Sequence, residues 1–359
     1  MNAIVALIGL AALLASAGPA VAEETLFPST GQETGRLVIE SVTDLPAIAP
    51  LIHAFQAGRP GVAIVYHELT TNALTAHVKE ACDTDSFVAD LVVSSSIDQQ
   101  VKLVNDGCAR KVGAEALGRL PDWARWRNEL FGLTFEPAVI VYNRKLLSPS
   151  EVPANRFDLI DLLRDTDRFS GRVGTYDIEA SGVGYLFAFE DSGQAGTFGR
   201  LAESFGRNNV QLFCCTSDIL DRVSDGRLLL GYNVLGSYAI ARAATDGNLG
   251  VVMPSDYTLV LARAAFVPRV ARAPELAEAF MVFALSRTGE QILRGDARLL
   301  SPVNGPSDLK ASMAPESFDP QILRPITLSP ALMVGLDAAK RRIFLAQWRD
   351  AIAAQRSAD

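Results

Sequence analysis

The sequence is poor in the residues that catalytic and metal sites use most often. Its 359 residues include only three histidines, His53, His67 and His77. The last two end the stretch HELTTNALTAH and lie ten residues apart, whereas the zinc motif H-E-x-x-H places its histidines one helical turn apart. There is no G-x-S-x-G elbow, no P-loop and no Cys/His cluster with metal-ligand spacing. These absences argue against a metal hydrolase and against enzymes in general, and no cofactor or metal is expected.

Charged residues are also scarce, at 21%, and the formal net charge is −8. A chain with this balance has no general basic surface, so nucleic acid is not expected as a partner. Hydrophobic residues make up 49%, and the length suffices for two domains of ordinary size. The composition therefore indicates a soluble, acidic protein with a large core.

Long apolar runs are missing except at the start of the chain. Residues 1–22 carry no charged side chain and end in Ala20-Val21-Ala22, which fits a signal peptide cleaved after Ala22. The alternative is an uncleaved anchor helix. The run is shorter than the ~20 apolar residues that a membrane span needs, and Gly18-Pro19 interrupts it. We therefore expect a protein that is exported to the periplasm and begins at Glu23.

Four cysteines are few, but their even number permits disulfides in an oxidising compartment. Cys82 precedes a predicted strand and Cys108 follows the next predicted helix, so both can lie at one end of a strand–helix unit. We predict a disulfide between them. Cys214 and Cys215 are adjacent, and a bridge between neighbours strains the intervening peptide, so we interpret them as unpaired, partly buried small apolar residues.

The first third of the chain repeats one order of elements. Apolar strands are predicted over residues 37–40, 62–68 and 89–94, and each is followed by a polar turn and an amphipathic helix. Three such units in a row predict an α/β fold with a parallel sheet and helices on its faces. Similar units recur in the second half of the chain.

Polar residues collect in the turns that follow these strands. Parallel sheets bind ligands beyond the carboxyl ends of their strands, and helix N-termini there attract anions. The alternative is that each Ser or Thr only caps its helix. The predicted binding residues are Ser41, Thr43, Thr70, Thr71, Asn72, Ser94, Ser95 and Ser96 in the first half, and Ser181, Gly182, Tyr232 and Asn233 in the second.

Four stretches resemble the periplasmic solute-binding proteins of ABC importers, in the branch that binds ferric ions and phosphorylated sugars. They are FEPAVIVYNRKLL, LDRVSDGRLLLGYNVLGSYA, PSDYTLVLARAAFVPRVARAPELAEAFMVFALSRTGEQ and RPITLSPALMVGLDAAKRRIFLAQW. Their order, after an export signal, carries the resemblance over nearly the whole mature chain. It implies a monomeric, two-lobed type II periplasmic-binding fold that closes around a ligand and is recognised by a permease.

The resemblance also implies lobe boundaries. The first lobe is expected at residues 23–134 and 257–359, the latter with the C-terminal helices, and the second at 135–256. Two crossovers are expected near Leu133–Val139 and Pro254–Leu259.

The ferric branch typically holds iron with two adjacent tyrosines. Here the matching positions are Ser237-Tyr238, and Tyr232 is six residues away, so the pair is incomplete. A small anionic solute, organic or phosphorylated, is therefore expected as the ligand, with Tyr238 in the site, and ferric iron is the alternative. A further alternative is a sensor subunit that presents its ligand to a membrane kinase, and an enzyme is the main rival of a different class.

Overall fold

The computed structural model describes residues 23–113, 115–194, 196–295, 299–313 and 319–353. The expected signal peptide lies outside the described residues. These described residues form fourteen strands. They are β1 (Glu23–Phe27), β2 (Gly35–Ser41), β3 (Val62–Glu68), β4 (Leu91–Ser94), β5 (Arg125–Trp126), β6 (Leu130–Gly132), β7 (Glu136–Asn143), β8 (Val173–Tyr176), β9 (Gln211–Phe213), β10 (Leu230–Leu235), β11 (Leu249–Val252), β12 (Thr258–Leu261), β13 (Ala264–Phe266) and β14 (Leu323–Pro325).

The α-helices alternate with the strands through most of the described chain. They are α1 (Leu45–Ala57), α2 (Thr71–Asp83), α3 (Ile97–Asn105), α4 (Arg156–Leu162), α5 (Thr166–Phe169), α6 (Gly182–Gln194), α7 (Phe198–Arg207), α8 (Thr216–Ser224), α9 (Gly236–Ala243), α10 (Pro274–Ala284), α11 (Arg287–Arg294), α12 (Gly305–Met313) and α13 (Ala338–Ala353).

The strands form two sheets, one in each lobe. The first has the order β1-β3-β2-β4-β13-β6-β5, and the second has the order β14-β12-β7-β10-β8-β9, with β11 also paired to β7. Strands β2, β3 and β4 are parallel, as the repeated units predicted, and β8 runs parallel to both β9 and β10. The predicted α/β architecture of two sheets flanked by helices is confirmed.

The first sheet is built from the apolar strands that the sequence shows. Leu37 and Ile39 of β2 and Ile64 and Tyr66 of β3 are buried in the core beneath α1. Helix α1 begins at Leu45 with Pro46 in its first turn, a position where the missing N–H of proline has no cost. These elements place the carboxyl ends of β2, β3 and β4 along one edge of the sheet, where α1, α2 and α3 begin.

Two short connections carry the chain between the sheets, and it later returns from β13 of the first sheet to β14 of the second. Residues 133–135 connect β6 of the first sheet to β7 of the second, and residues 262–263 connect β12 of the second sheet to β13 of the first. The second sheet therefore extends to Leu261, past the expected end of the second lobe at residue 256.

The C-terminal helix also differs from the expected lobe bounds. Phe344 and Trp348 of α13 stack on Phe198 of α7, with ring centroids 5.9 and 6.2 Å away. The buried face of α13 thus belongs to the core of the second lobe. The sequence pattern of a helix can show which of its faces is buried, but it does not show which lobe that face packs against. The sequence therefore did not reveal that α13 packs on the second lobe.

Both disulfides join residues near the helices that flank the sheets. Cys82, in the last turn of α2, bonds to Cys108, three residues beyond α3, with Cα atoms 5.4 Å apart, as predicted. Closing a loop of this length stabilises the fold by about 3 kcal/mol in the chain-entropy model. The prediction for the other pair was wrong: Cys214 and Cys215 also form a disulfide. The extended turn between β9 and α8 accommodates the bridge, with Cys215 in the β region as the N-cap of α8.

Candidate functional site

A cavity of about 450 Å³ lies between the two sheets, at the edge where several helices begin. Residues from both lobes line it. From the first lobe come the ends of β2 and β3 and the starts of α1 and α2, and from the second come the residues that precede α6 and α8. Arg263, in the second crossover, and Tyr238, in α9, complete the lining where the lobes join.

The wall from the first lobe includes the turn between β3 and α2. The side chain of Thr70 caps α2 by accepting a hydrogen bond from the N–H of Ala73. Thr71 begins the helix and lines the cavity beside it. Glu68 lies next to them and uses one carboxylate oxygen to accept a hydrogen bond from the N–H of Leu45, at 2.8 Å. This wall therefore combines hydroxyls with a carboxylate that caps the neighbouring helix.

The wall from the second lobe presents two helix N-termini. Ser181 precedes α6 and accepts a hydrogen bond from the N–H of Gly184, at 3.2 Å. Thr216 and Ser217 open α8, and no side chain of the N-cap residue Cys215 bonds to the N–H groups of its first turn. The hydroxyl of Thr216 lies 2.5 Å from that of the buried Tyr176. The start of α8 is thus positioned by the core and faces the cavity with uncapped N–H groups.

Arg263 brings a positive charge to the cavity lining at the junction of the two lobes. Its side chain is 1% exposed, and Nη1 donates hydrogen bonds to the hydroxyls of Thr43 at 2.7 Å and Tyr238 at 3.1 Å. Nη2 lies 3.2 Å from Glu136 of β7, a carboxylate that also accepts from Ser237. Among the described residues, Nε of Arg263 has no hydrogen-bond partner.

Burial changes the ionisation of the groups around this arginine. Burial by itself lowers the pKa of Arg263, but the nearby Tyr238 and Glu136 raise it overall, so the guanidinium stays charged. Burial raises the pKa of Asp44, partly offset by Arg263, and it also raises the pKa of Glu68. The cavity therefore combines a permanent cation with two carboxyl groups that burial makes easier to protonate.

The lobes contact each other across the cavity. The N–H of Gly182 donates to the hydroxyl of Thr71 at 2.8 Å. The amide of Asn72 donates to the carbonyls of Glu179 at 3.1 Å and Ala180 at 2.8 Å. A side chain at Gly182 would meet the first lobe, because a Cβ there would lie 2.6 Å from the hydroxyl of Ser96. These hydrogen bonds hold the N-terminal end of α2 against the N-terminal end of α6.

The structure brings five of the predicted binding residues to the cavity and separates the others from it. Those that line it are Thr70, Thr71, Ser95, Ser181 and Tyr238. Asn72 and Gly182 make the contacts between the lobes just described. The predicted residues that lie behind the cavity lining are Ser41, Thr43, Ser94, Ser96, Tyr232 and Asn233.

The serines and threonine behind the lining serve the first sheet and its helices. Ser41 and Ser94 are the last residues of their strands, and the backbone of each is paired in the sheet. Their hydroxyls accept hydrogen bonds from the N–H groups of Thr43 and Ser96, respectively, each two residues on. Thr43 holds Arg263, and Ser96 bonds to Asp98. For these positions the alternative interpretation, local capping and turn formation, describes the contacts.

Tyr232 and Asn233 belong to a buried network in the second lobe. The guanidinium of Arg156 donates to the hydroxyl of Tyr232 at 2.6 Å, and that hydroxyl donates to Asp191 at 2.8 Å. Asn233 also donates to Asp191, at 2.6 Å, and Tyr257 does so at 3.0 Å. Burial is the main reason why the pKa of Tyr232 is raised well above its usual value. The network fixes β10 against α4 and α6, and it is not part of the cavity lining.

The two histidines of HELTTNALTAH lie near the same carboxylate, that of Glu40. Nδ1 of His77 lies 2.8 Å from a carboxylate oxygen of the fully buried Glu40, and Nδ1 of His67 lies 3.7 Å from the same oxygen. The other nitrogen of His67 lies 3.1 Å from Glu24 of β1. Glu40 raises the pKa of His67, burial opposes this, and Glu24 adds to the rise. Neither histidine lines the cavity.

Sequence reasoning missed several residues of the site. Arg263 interrupts the apolar stretch LVLARAAFVP, and an isolated arginine in a buried stretch is a signal that could have identified it. Asp44 directly follows the predicted residue Thr43, and Glu68 ends the predicted strand two residues before Thr70, but neither was predicted to bind the ligand. The start of α8 was missed because Cys214 and Cys215 were interpreted as packing residues.

The comparisons with known proteins agree with this geometry. Residues 45–296 match the family model of the bacterial extracellular solute-binding proteins. The chain is 37% identical to the substrate-binding protein of an ABC transporter from Agrobacterium tumefaciens, with a TM-score of 0.86 over 93% of this chain and 100% of that one. The chain belongs to the bacterial extracellular solute-binding family. Proteins of this family bind small solutes for ABC transporters and act with membrane permeases, and they are not enzymes.

More distant structures share the type II periplasmic-binding fold. AfuA from Actinobacillus pleuropneumoniae, solved with fructose 6-phosphate bound, is 18% identical, with a TM-score of 0.69 over 89% of this chain and 99% of that one. Iron-bound HitA from Pseudomonas aeruginosa is 17% identical, with a TM-score of 0.64 over 88% of this chain and 99% of that one. No curated protein matches the sequence significantly.

The family is extracellular and typically periplasmic. In the part of the chain that the structure describes, none of the helices is long and apolar enough to cross a bilayer.

Proposed function

We propose that this solute-binding protein captures a small organic anion with several hydroxyl groups, such as a phosphorylated sugar or a hydroxylated carboxylate, for import by an ABC permease. The observation that carries the proposal is Arg263, a charged and almost fully buried side chain that lines the cavity and whose Nε has no hydrogen-bond partner among the described residues. An anionic oxygen next to this guanidinium would form a charge-assisted hydrogen bond at a site removed from water.

The helix N-termini support the same ligand class. The uncapped start of α8 and the start of α6 face the cavity, and N–H groups at helix starts favour negative charge. An anionic group could therefore lie between the guanidinium of Arg263 and the N–H groups of Thr216 and Ser217.

Two carboxyl groups of the cavity are the reason for proposing hydroxyl groups on the ligand. Asp44 and Glu68 line the cavity and accept hydrogen bonds when ionised, so they fit hydroxyl groups of a solute. A solute that bears only negative charge would be repelled by them. A polyhydroxylated anion satisfies both kinds of lining group.

Ferric iron fits this cavity less well. The hydroxyl of Tyr238 accepts hydrogen bonds from Arg263 and from the N–H of Asp44, at 3.1 Å each. Tyr232, the other tyrosine considered, is engaged in the network around Asp191 and does not line the cavity. Burial also raises the pKa of Tyr238, which opposes the tyrosinate form that binds iron.

A thermal-shift screen tests the proposal. The panel contains sugar monophosphates including fructose 6-phosphate, hydroxylated and simple carboxylates, the matching neutral sugars, and ferric citrate. Binding to the folded state raises stability by about 2.7 kcal/mol at a hundredfold excess over Kd, so a true ligand gives a clear shift. We expect stabilisation by a polyhydroxylated anion and none by its neutral counterpart. Stabilisation by neutral sugars alone, or stoichiometric uptake of iron with a visible colour, would contradict the proposal.

Export is part of the proposed function. The family and the Ala20-Val21-Ala22 sequence support a periplasmic protein whose signal peptide is removed after Ala22.

A further inference from the structure

The disulfide of adjacent cysteines lies in the wall of the cavity. Cys214 and Cys215 both line it, directly before the two residues that open α8. Cys214 is exposed, whereas Cys108 of the other disulfide is 4% exposed and packs in the core. A dithiol reductant therefore has access to the Cys214 sulfur and much less access to the Cys82–Cys108 bridge.

A carboxylate is positioned beside these sulfurs. Oδ2 of Asp218 lies 3.7 Å from Sγ of Cys214, because Asp218 is in the first turn of α8 and points back toward its start. The other oxygen, Oδ1, accepts a hydrogen bond from Arg222 at 3.1 Å. The guanidinium of Arg222 lies 4.6 Å from the ring centroid of Phe213, which fixes it from the other side. Arg222 thus holds one oxygen and leaves the other facing the sulfurs.

These three side chains have the dimensions of a metal site. One ligand atom from each of Cys214, Cys215 and Asp218 lies within 4.8 Å of the others, and this is the one such group of three among the described residues. Two thiolates and a carboxylate are donors that soft or borderline divalent cations such as Cd²⁺ and Zn²⁺ accept in tetrahedral sites. The start of α8 also stabilises negative charge on the thiolates.

We propose that two-electron reduction of the Cys214–Cys215 disulfide opens a binding site for a soft divalent cation, formed by Cys214, Cys215 and Asp218. An external dithiol supplies two electrons and two protons, breaks the Sγ–Sγ bond and leaves as its own disulfide. The metal ion then displaces both thiol protons and bonds to the two sulfurs and to Oδ2 of Asp218. The oxidised protein has no thiolates at this position, so the site is closed until reduction.

The site faces the cavity, which gives metal binding a consequence. Three protein ligands leave a fourth tetrahedral position for water or an oxygen of a solute. A cation at this point would occupy the wall that Thr216 and Ser217 share. The inference does not depend on the identity of the solute.

Cadmium uptake tests the proposal on the mature, full-length protein. The protein is treated with a mild dithiol, freed of it under anaerobic conditions, and titrated with Cd²⁺ while thiolate-to-cadmium absorption is recorded in the ultraviolet. Alkylation and peptide mass mapping show which cysteines were reduced. We expect thiols at Cys214 and Cys215 only, and one Cd²⁺ per chain, with no thiolate absorption from the oxidised protein.

Variants decide which residues bind the metal. Cys214→Ser/Cys215→Ser, which retains the other disulfide, is expected to abolish uptake. Asp218→Asn is expected to weaken Cd²⁺ binding by at least about tenfold. Asp221→Asn is the matched control, because Asp221 is on the same helix but pairs with Arg242 at 3.0 Å, and it should bind as the wild type does.

Four outcomes would overturn the proposal. They are equal Cd²⁺ binding by the oxidised protein, uptake retained by the double serine variant, equal affinities of the Asp218 and Asp221 variants, and no uptake by reduced wild type.

Discussion

Thr71 connects the candidate site to closure of the lobes. Its hydroxyl accepts the hydrogen bond from the N–H of Gly182, across the cavity, at 2.8 Å. Thr71→Val keeps the size and branching of the side chain but leaves this buried N–H without a partner in the closed form. The cost of such an unpaired group is about 1–3 kcal/mol.

This cost falls on the closed form alone, because in an open form water can bond to the same N–H. The population of the closed form should then fall by about 5- to 150-fold, and the apparent Kd should rise by the same factor where the open form prevails without solute. Titration calorimetry with the solute found in the screen measures this change, and small-angle scattering measures closure.

Thr84→Val is the control, since Thr84 caps the other end of α2 and its hydroxyl bonds to the carbonyl of Glu80 at 2.8 Å. It should leave the affinity unchanged. An affinity of Thr71→Val equal to that of the wild type would refute the assigned role of this contact.

Three further predictions follow from the described contacts. Gly182→Ala should weaken solute binding by about tenfold or more, because its Cβ would lie 2.6 Å from the Ser96 hydroxyl and hold the lobes apart; calorimetry that shows no change would contradict this. The raised pKa of His67 should make the free energy of unfolding fall as the pH rises from about 6.5 through the folded-state pKa, since the protonated form is favoured in the folded protein. Chemical denaturation at several pH values should show this loss in the wild type and less of it in His67→Gln. Mass spectrometry of the exported protein should find Glu23 at the N-terminus, and a chain that retains residues 1–22 would refute the cleavage prediction.

The sequence predicted the parallel core of the first sheet well. Leu37, Ile39 and Ile64 belong to short apolar runs and are buried, and each strand is followed by a polar turn and a helix, so local pattern and fold agree. Thr70 and Thr71 line the cavity because they join the end of a parallel strand to the start of a helix.

The sequence could not show which polar turn residues face the ligand. Ser41 and Ser94 are hydroxyl residues at strand ends, as several residues of the cavity lining are. Their backbones nevertheless remain paired in the sheet, and their hydroxyls accept hydrogen bonds from N–H groups two residues further along the chain. The hydroxyl of Tyr232 accepts a hydrogen bond from Arg156, which is 76 residues distant in the chain. Such choices depend on tertiary contacts that no local pattern records.

The same limit applies to the residues that were missed. Arg263 acquires its role from Thr43 and Glu136, which reach it from two other segments of the chain. From the sequence, the strain of a peptide bond between two bridged neighbours argues against a Cys214–Cys215 disulfide. In the structure, the turn before α8 adopts a conformation that accommodates the disulfide.

The central claim is that an anionic solute binds beside Arg263, and calorimetry of two variants tests it most directly. Removing the arginine alone would leave Glu136 as an unpaired buried charge, and Glu136→Gln alone leaves Arg263 unpaired, each at a cost of about 3–5 kcal/mol of stability. Both variants therefore carry Glu136→Gln, and both are first shown to fold. Glu136→Gln should bind the solute nearly as well as the wild type, and Glu136→Gln/Arg263→Met should bind it about 10- to 150-fold more weakly, as expected for a lost hydrogen bond to a charged group of about 1.5–3 kcal/mol. Equal affinities of the two folded variants would contradict the account.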